Sequence, residues 1–155
     1  MSTEELPDCR TLGRTAAWLA KQVELGLAEV DLTLPQYRIL GLLDESPAVS
    51  SDLADLLAVR PPTVTAVVDG LVNRQLVERR TDQSDRRRVD HALTPLGRLL
   101  LSEADDAVHA RLHGIADSLT EPAERDAAFH GLALWRRAFG ATVRTRRAAR
   151  AQVAR

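Results

Sequence analysis

The chain has 155 residues, 21 Lys and Arg against 22 Asp and Glu, and a formal net charge of −1. That length is one domain's worth of core, and the charge balance is not the footprint of a non-specific nucleic-acid coat. No apolar run is long enough to span a membrane and no signal peptide is recognisable, while the single cysteine excludes an internal disulfide framework, so a soluble cytoplasmic protein is expected.

Residues 10–30 form a helical pattern with Leu12, Ala16, Leu19, Val23 and Leu27 on one stripe, and Leu34 to Asp44 form a second. Ser50, taken as an N-cap, opens a short helix over Ser51 to Ala58 with Leu53, Ala54, Leu56 and Leu57 inward and Asp52 in the first turn, where a negative charge suits the helix dipole. Val59 and Arg60 make a tight connection. Pro61 and Pro62 then cost nothing in a first helical turn, because backbone donors are orphaned there in any case. The helix they open buries Val64, Val67, Val68, Leu71 and Val72 and leaves Pro62, Thr63, Thr65, Ala66, Asp69, Asn73 and Arg74 outside.

After Gln75 the period changes to two: Leu76 to Arg80 and Arg88 to Leu93 are strands of a hairpin with a long, charged tip. Pro95 opens a long helix reaching about Ser118. Glu121 and Pro122 start a last one with Ala128, Leu132, Trp135, Phe139 and Val143 on a stripe.

Helix, turn, helix and basic hairpin in that order make a winged helix-turn-helix, the helices over 50–74 and the wing over 76–93. Short side chains near the start of the second helix can reach base edges in a groove ~12 Å wide, which makes Thr63, Thr65 and Ala66 the expected readers, beside Pro62. Arg79, Arg80, Arg86, Arg87 and Arg88 cluster on the wing. A narrow minor groove attracts arginine, and Arg86 at the tip is the expected insertion. Arg87 is expected to pair with Asp85 or Asp82 and hold the wing's shape. Arg74, Arg79 and Arg80 are expected at phosphates, which position without specifying. The C-terminal arginines 144, 146, 147 and 150 are expected to be a solvated, frayed helix end, with contact to the DNA backbone as the alternative.

The stretch RRTDQSDRRRVDHALTPLGR, the earlier LTLPQYRILGLL, and PPTVT at Pro61 to Thr65 together resemble the multiple-antibiotic-resistance regulator (MarR) family of bacterial transcription factors. The resemblance covers nearly the whole chain, with DRR at Asp85 to Arg87 and LTPLG at Leu93 to Gly97 as its most specific parts. It implies a mainly α (α+β) fold and a homodimer: a winged helix-turn-helix lobe over 34–94 and a helical dimerisation region from 1–33 and 95–155, presenting two lobes to a pseudo-palindromic double-stranded operator. Three apolar-faced helices beyond the lobe agree with a partner subunit. Arg60 departs from the family pattern, in which a small hydroxyl or acidic N-cap precedes the prolines. Losing that cap costs about 1 kcal/mol, and a phosphate contact by Arg60 is the expected return.

Family members respond to small aromatic ligands, to cysteine oxidation or to zinc. The resemblance implies a repressor released by a phenolic-type effector in a crevice lined by Trp18, Gln22, Tyr37, Arg38 and His109, with Arg38 or Arg14 as partner for an anion. The alternative is an organic-hydroperoxide sensor using Cys9, which falls where that branch places its reactive cysteine. That branch's tyrosines are replaced here by Gly13, Val23 and Leu34, and a thiol without donors keeps a pKa near 8.5. His109 and His113, near Asp105 and Asp106, do not make a tetrahedral zinc set, so no metal and no cofactor is expected. There is no nucleophile–base motif, metal-protease motif or phosphate-cradling loop, and no enzyme is expected. A winged helix serving only protein contacts is the other reading, and the arginine-tipped wing argues against it.

Overall fold

The computed structural model describes residues 9–81 and 89–153. In chain order the elements are α1 (Cys9–Ala28), α2 (Leu34–Glu45), α3 (Ser50–Leu57), α4 (Pro61–Asn73), β1 (Val77–Thr81), β2 (Val89–Leu93), α5 (Pro95–Ala116) and α6 (Pro122–Val153). The strands pair antiparallel with Val77 opposite Leu93 and Thr81 opposite Val89. Helix starts follow local chemistry. Thr33 and Gln36 form a capping box at α2, each side chain bonding the other's backbone N–H (3.4 and 2.9 Å). Thr94 accepts from Gly97 N–H at 2.9 Å to cap α5, with Pro95 next in its first turn.

The expected cap of α3 is corrected by one residue. Ser50 is already helical; Val49 holds the cap conformation (φ −82°, ψ 155°) without a side-chain bond, and its carbonyl accepts from Asp52 and Leu53. The cause is an interaction that strand periodicity did not reveal. Ala48 pairs with His91 on the outer side of β2, N–H to O at 3.1 Å one way and 2.8 Å the other, so the chain is pinned as extended until Val49.

Leu27, Ile39, Leu40, Leu53, Val64, Val68, Leu71, Val77 and Leu93 are almost fully buried, and they draw on α1, α2, α3, α4 and both strands. Val67 and Val72, expected to be inside, pack against this cluster only partly buried. Leu101, Ala104 and Val108 of α5 close the core against α1 and α2. Two glycines permit close approach: a Cβ on Gly97 would stand 2.0 Å from the Leu76 carbonyl oxygen, and one on Gly26 would stand 3.1 Å from the Val108 Cα. Along α1, α5 and α6, by contrast, large apolar side chains face outward: Trp18 is 74% exposed, Trp135 62% and Phe139 63%. Trp135 and Phe139 stack with ring centres 5.7 Å apart.

Candidate nucleic-acid interface and effector groove

The second helix of the helix-turn-helix, α4, buries one face and offers the other. Val64, Val68 and Leu71 are in the core, whereas Pro62, Thr63, Thr65 and Ala66 are all exposed at its N-terminal half. These four are the positions whose short side chains were expected to read bases. The Thr65 hydroxyl bonds the Pro61 carbonyl at 3.1 Å, returning to its own helix. Arg60 occupies the cap position with extended backbone (φ −70°, ψ 140°), is exposed, and makes no side-chain cap bond. Its guanidinium is therefore available beside the positive end of the α4 dipole, where an anion is favoured.

The hairpin stands next to this surface. Ser50, Ser51, Thr65, Asp69, Arg79 and His91 line a concavity of about 500 Å³ between the start of α3, α4 and the strands. Arg79 of β1 forms an ion pair with Asp69 of α4, fastening wing to recognition helix. Arg80 lies along Glu78, Nε donating at 2.7 Å. His91 is buried; the Ala48 carbonyl 3.2 Å from its Nδ1 can only accept, so that nitrogen carries the proton. The alternation of β2 puts His91 on the same side as Val89 and Leu93, and that shared face is the sequence signal for its burial. Arg74, expected at a phosphate, instead donates Nη1 to the Asp31 carbonyl at 2.8 Å, and its side chain is only 33% exposed. Asp82, Asp85, Arg86, Arg87 and Arg88 lie outside the described residues, and with them the expected wing-tip insertion and its support.

The five residues expected around one effector do not converge. Tyr37 and Arg38 line a groove of about 710 Å³ between α2, α3, α5 and α6, together with Leu42, Leu56, Leu101 and Arg136. The Tyr37 hydroxyl donates to Asp105 across this groove. Burial first, and the adjacent carboxylate second, push the phenol's pKa well above its ordinary value, so it stays a protonated donor. Gln22 is drawn elsewhere because its carbonyl accepts from Arg111 Nε at 3.0 Å. His109 is turned away, its ring against His113 (centres 4.1 Å apart), and His113 in turn stacks on Phe129 at 4.1 Å. Trp18 sits far out on the exposed face of α1. Arg136 was missed, since a lone arginine on an amphipathic helix gives no signal of which neighbour it faces. Cys9 is the first residue of α1. Among the described residues no helix is long and apolar enough to cross a membrane, and no group of three or more His, Cys, Asp or Glu stands together to hold a metal ion.

A helix-turn-helix with an exposed, short-chained recognition face and a hairpin clamped to it defines a winged-helix DNA-binding protein. Comparison with known proteins narrows this to one family. The sequence profile of the MarR family matches residues 30–88. The HTH-type transcriptional repressor Rv2887 of Mycobacterium tuberculosis is 33% identical over 116 residues, covering 74% of this chain and 84% of that protein. Among solved structures, the Mycobacterium tuberculosis MarR-family protein Rv2887 in complex with salicylic acid is similar at a TM-score of 0.66 and 29% identity, covering 86% of this chain and 99% of that one. The transcriptional repressor CouR bound to a 23-mer DNA duplex is similar at a TM-score of 0.66 and 31% identity, covering 80% and 88%. The chain belongs to the MarR family of DNA-binding transcription regulators.

Proposed function

We propose that this protein is a cytoplasmic homodimeric repressor that a small aromatic acid releases from its operator. In this reading residues 34–94 are the DNA-reading lobe, and 1–33 with 95–155 form the dimerisation region. Thr63, Thr65 and Ala66 meet base edges beside Pro62, Arg60 and Arg80 meet phosphates, and Arg86, Arg87 and Arg88 serve the wing, with Asp82 and Asp85 supporting it. The outward apolar face of α1, α5 and α6, with Trp18 and Trp135 each more than half exposed, supports a second copy as its cover.

The groove between α2, α3, α5 and α6 carries the effector half of the proposal. Its lining supplies apolar walls in Leu42, Leu56 and Leu101 and, in Arg38 and Arg136, two cations that an aromatic carboxylate can pair with; Asp44, Glu45 and Asp105 line the same groove, Asp105 taken up by the Tyr37 hydroxyl. It also lies between lobe helices and outer helices. A ligand there acts only through its different affinity for different lobe orientations, and moving the population from mostly bound to mostly free takes about 5.5 kcal/mol of such difference. The relative Rv2887 has been solved with salicylic acid bound, which agrees with this ligand class.

The test is a fluorescence-anisotropy titration against the DNA upstream of the protein's own gene, repeated with salicylate and with an organic hydroperoxide on wild type and Cys9→Ser. Release by salicylate, weakened in Arg38→Ala and Arg136→Ala, is the expected result. Insensitivity to aromatic acids combined with release by the hydroperoxide only when Cys9 is present would replace the ligand switch with a redox one.

A further inference from the structure

Within two residues, the C-terminal end of α4 is tied to two different outer helices. Arg74, the C-cap residue of α4, donates Nη1 to the main-chain oxygen of Asp31 at 2.8 Å. Asp31 is the left-handed residue (φ 54°) of the turn that closes α1, where Leu32 N–H returns to the Leu27 carbonyl at 3.0 Å. Its carbonyl is thus held by the turn as a fixed acceptor, while its carboxylate, 3.5 Å from Nη2 and 99% exposed, adds little. On the other side, Gln75 (φ 60°) accepts from the Thr94 hydroxyl at 2.7 Å, and Leu76 O accepts from Thr94 N–H at 3.1 Å. Thr94 is the cap of α5. The recognition helix is therefore fastened between the end of α1 and the start of α5.

We infer that Arg74 is a positioning residue that fixes the recognition helix against the α1–α2 turn, and so sets the separation of the two recognition helices, and that it is not a phosphate contact. This rests on the dimeric DNA-binding reading proposed above. The lever is long. With 13 residues α4 is roughly 20 Å in length, so a tilt of about 10° at its held end moves the base-reading end by about 3 Å, close to one base-pair step. A side chain that neutralises a phosphate changes affinity uniformly and contributes about one unit to the salt slope. A side chain that aims the helix changes which half-site spacing is preferred and leaves the slope alone.

The experiment measures binding across a salt series to the footprinted operator at native spacing, and to versions with a base pair inserted or deleted at the centre. Wild type, Arg74→Ala, Arg74→Lys and Asp31→Gly are compared. Arg74→Ala is expected to keep the salt slope, lose about tenfold in affinity at native spacing and discriminate against the altered spacings about tenfold less, the scale of one lost charge-assisted hydrogen bond. Arg74→Lys, whose ammonium still donates to the same carbonyl, should recover most of the discrimination. Asp31→Gly keeps the carbonyl and suits the positive φ, and should match wild type. A slope lowered by about one with spacing preference intact would overturn the proposal, as would an Arg74→Ala protein equal to wild type in both readouts. Wild-type protein without salt-dependent operator binding would instead defeat the parent reading, and is recognised before any variant is compared.

Discussion

The Tyr37 hydroxyl donates to the Asp105 carboxylate, and this hydrogen bond joins α2 to α5 in the wall of the groove between α2, α3, α5 and α6. Tyr37 is the chain's only tyrosine, which makes its ionisation directly visible as phenolate absorbance. The folded phenol is pushed above its ordinary value of 10.0 by burial and by Asp105. The bond's contribution is therefore whole below pH ~10, and is lost as pH rises past the unfolded-chain value toward the folded one, because the unfolded chain releases the proton first. Wild type should lose stability through this window with a slope of at most about 1.4 kcal/mol per pH unit from this group. Tyr37→Phe should start about 1 kcal/mol lower and lack that component. Urea unfolding of both proteins at stepped alkaline pH checks this; parallel pH profiles would refute it.

Gly97 is a packing requirement in the first turn of α5. With the Leu76 carbonyl oxygen 2.0 Å from any added Cβ, and Leu76 O also accepting from Thr94 N–H, neither backbone has room to retreat. Gly97→Ala is expected to cost about 2–3 kcal/mol. Gly41→Ala, where nothing lies within 4 Å of the added carbon, is the matched control and should be neutral or slightly stabilising. Thermal unfolding of the pair decides it, and equal midpoints would show that the α5 start can shift.

Ala58 and Gln75 end the two helices of the helix-turn-helix in the left-handed region, at φ 55° and 60°. Each spends about 1 kcal/mol on a Cβ in a conformation that suits glycine. Ala58→Gly and Gln75→Gly should each raise stability by about 0.5–1 kcal/mol, net of the glycine's larger unfolded-state entropy. Chemical denaturation of the single variants measures this. Destabilisation at both would mean that the turn geometry is not what limits them.

These same two positions show where the sequence was silent. Glycine would have announced a helix end, but Ala58 and Gln75 carry no such mark, and the turns were legible only through the flanking prolines and the change from a period of 3.6 to one of 2. The element order, the exposed α4 face at Thr63, Thr65 and Ala66, and the apolar stripes of the outer helices were legible because each follows from spacing within one element. Contacts between distant elements were not. The Ala48–His91 bridge that moved the α3 cap, the Arg74–Asp31 bond, and the turning of His109 onto His113 rather than toward Tyr37 all depend on packing that brings separate stretches together.

The recognition surface yields a pair of opposite expectations. Thr65 sits exposed in the N-terminal half of α4, and its hydroxyl donates its proton to the Pro61 carbonyl, which leaves the oxygen's lone pairs to accept from a base. Thr65→Val keeps the shape and the methyl but removes any polar base contact. It should cost about 1–3 kcal/mol at the matching base pair, relax preference there, and leave the salt slope unchanged. Arg60, at the cap of the same helix, should behave the other way. Arg60→Ser supplies a side-chain oxygen for the orphaned N–H groups of the first turn and should stabilise the fold by about 1 kcal/mol, while weakening binding to every sequence and lowering the salt slope by about one. Anisotropy titrations between 50 and 200 mM salt, over which a protein neutralising six to ten phosphates loses ~10³ to 10⁵ in affinity, resolve both. An Arg60→Ser protein with an undiminished slope would remove Arg60 from the interface, and a Thr65→Val protein with unchanged base preference would leave specificity to Thr63, Ala66 or the wing.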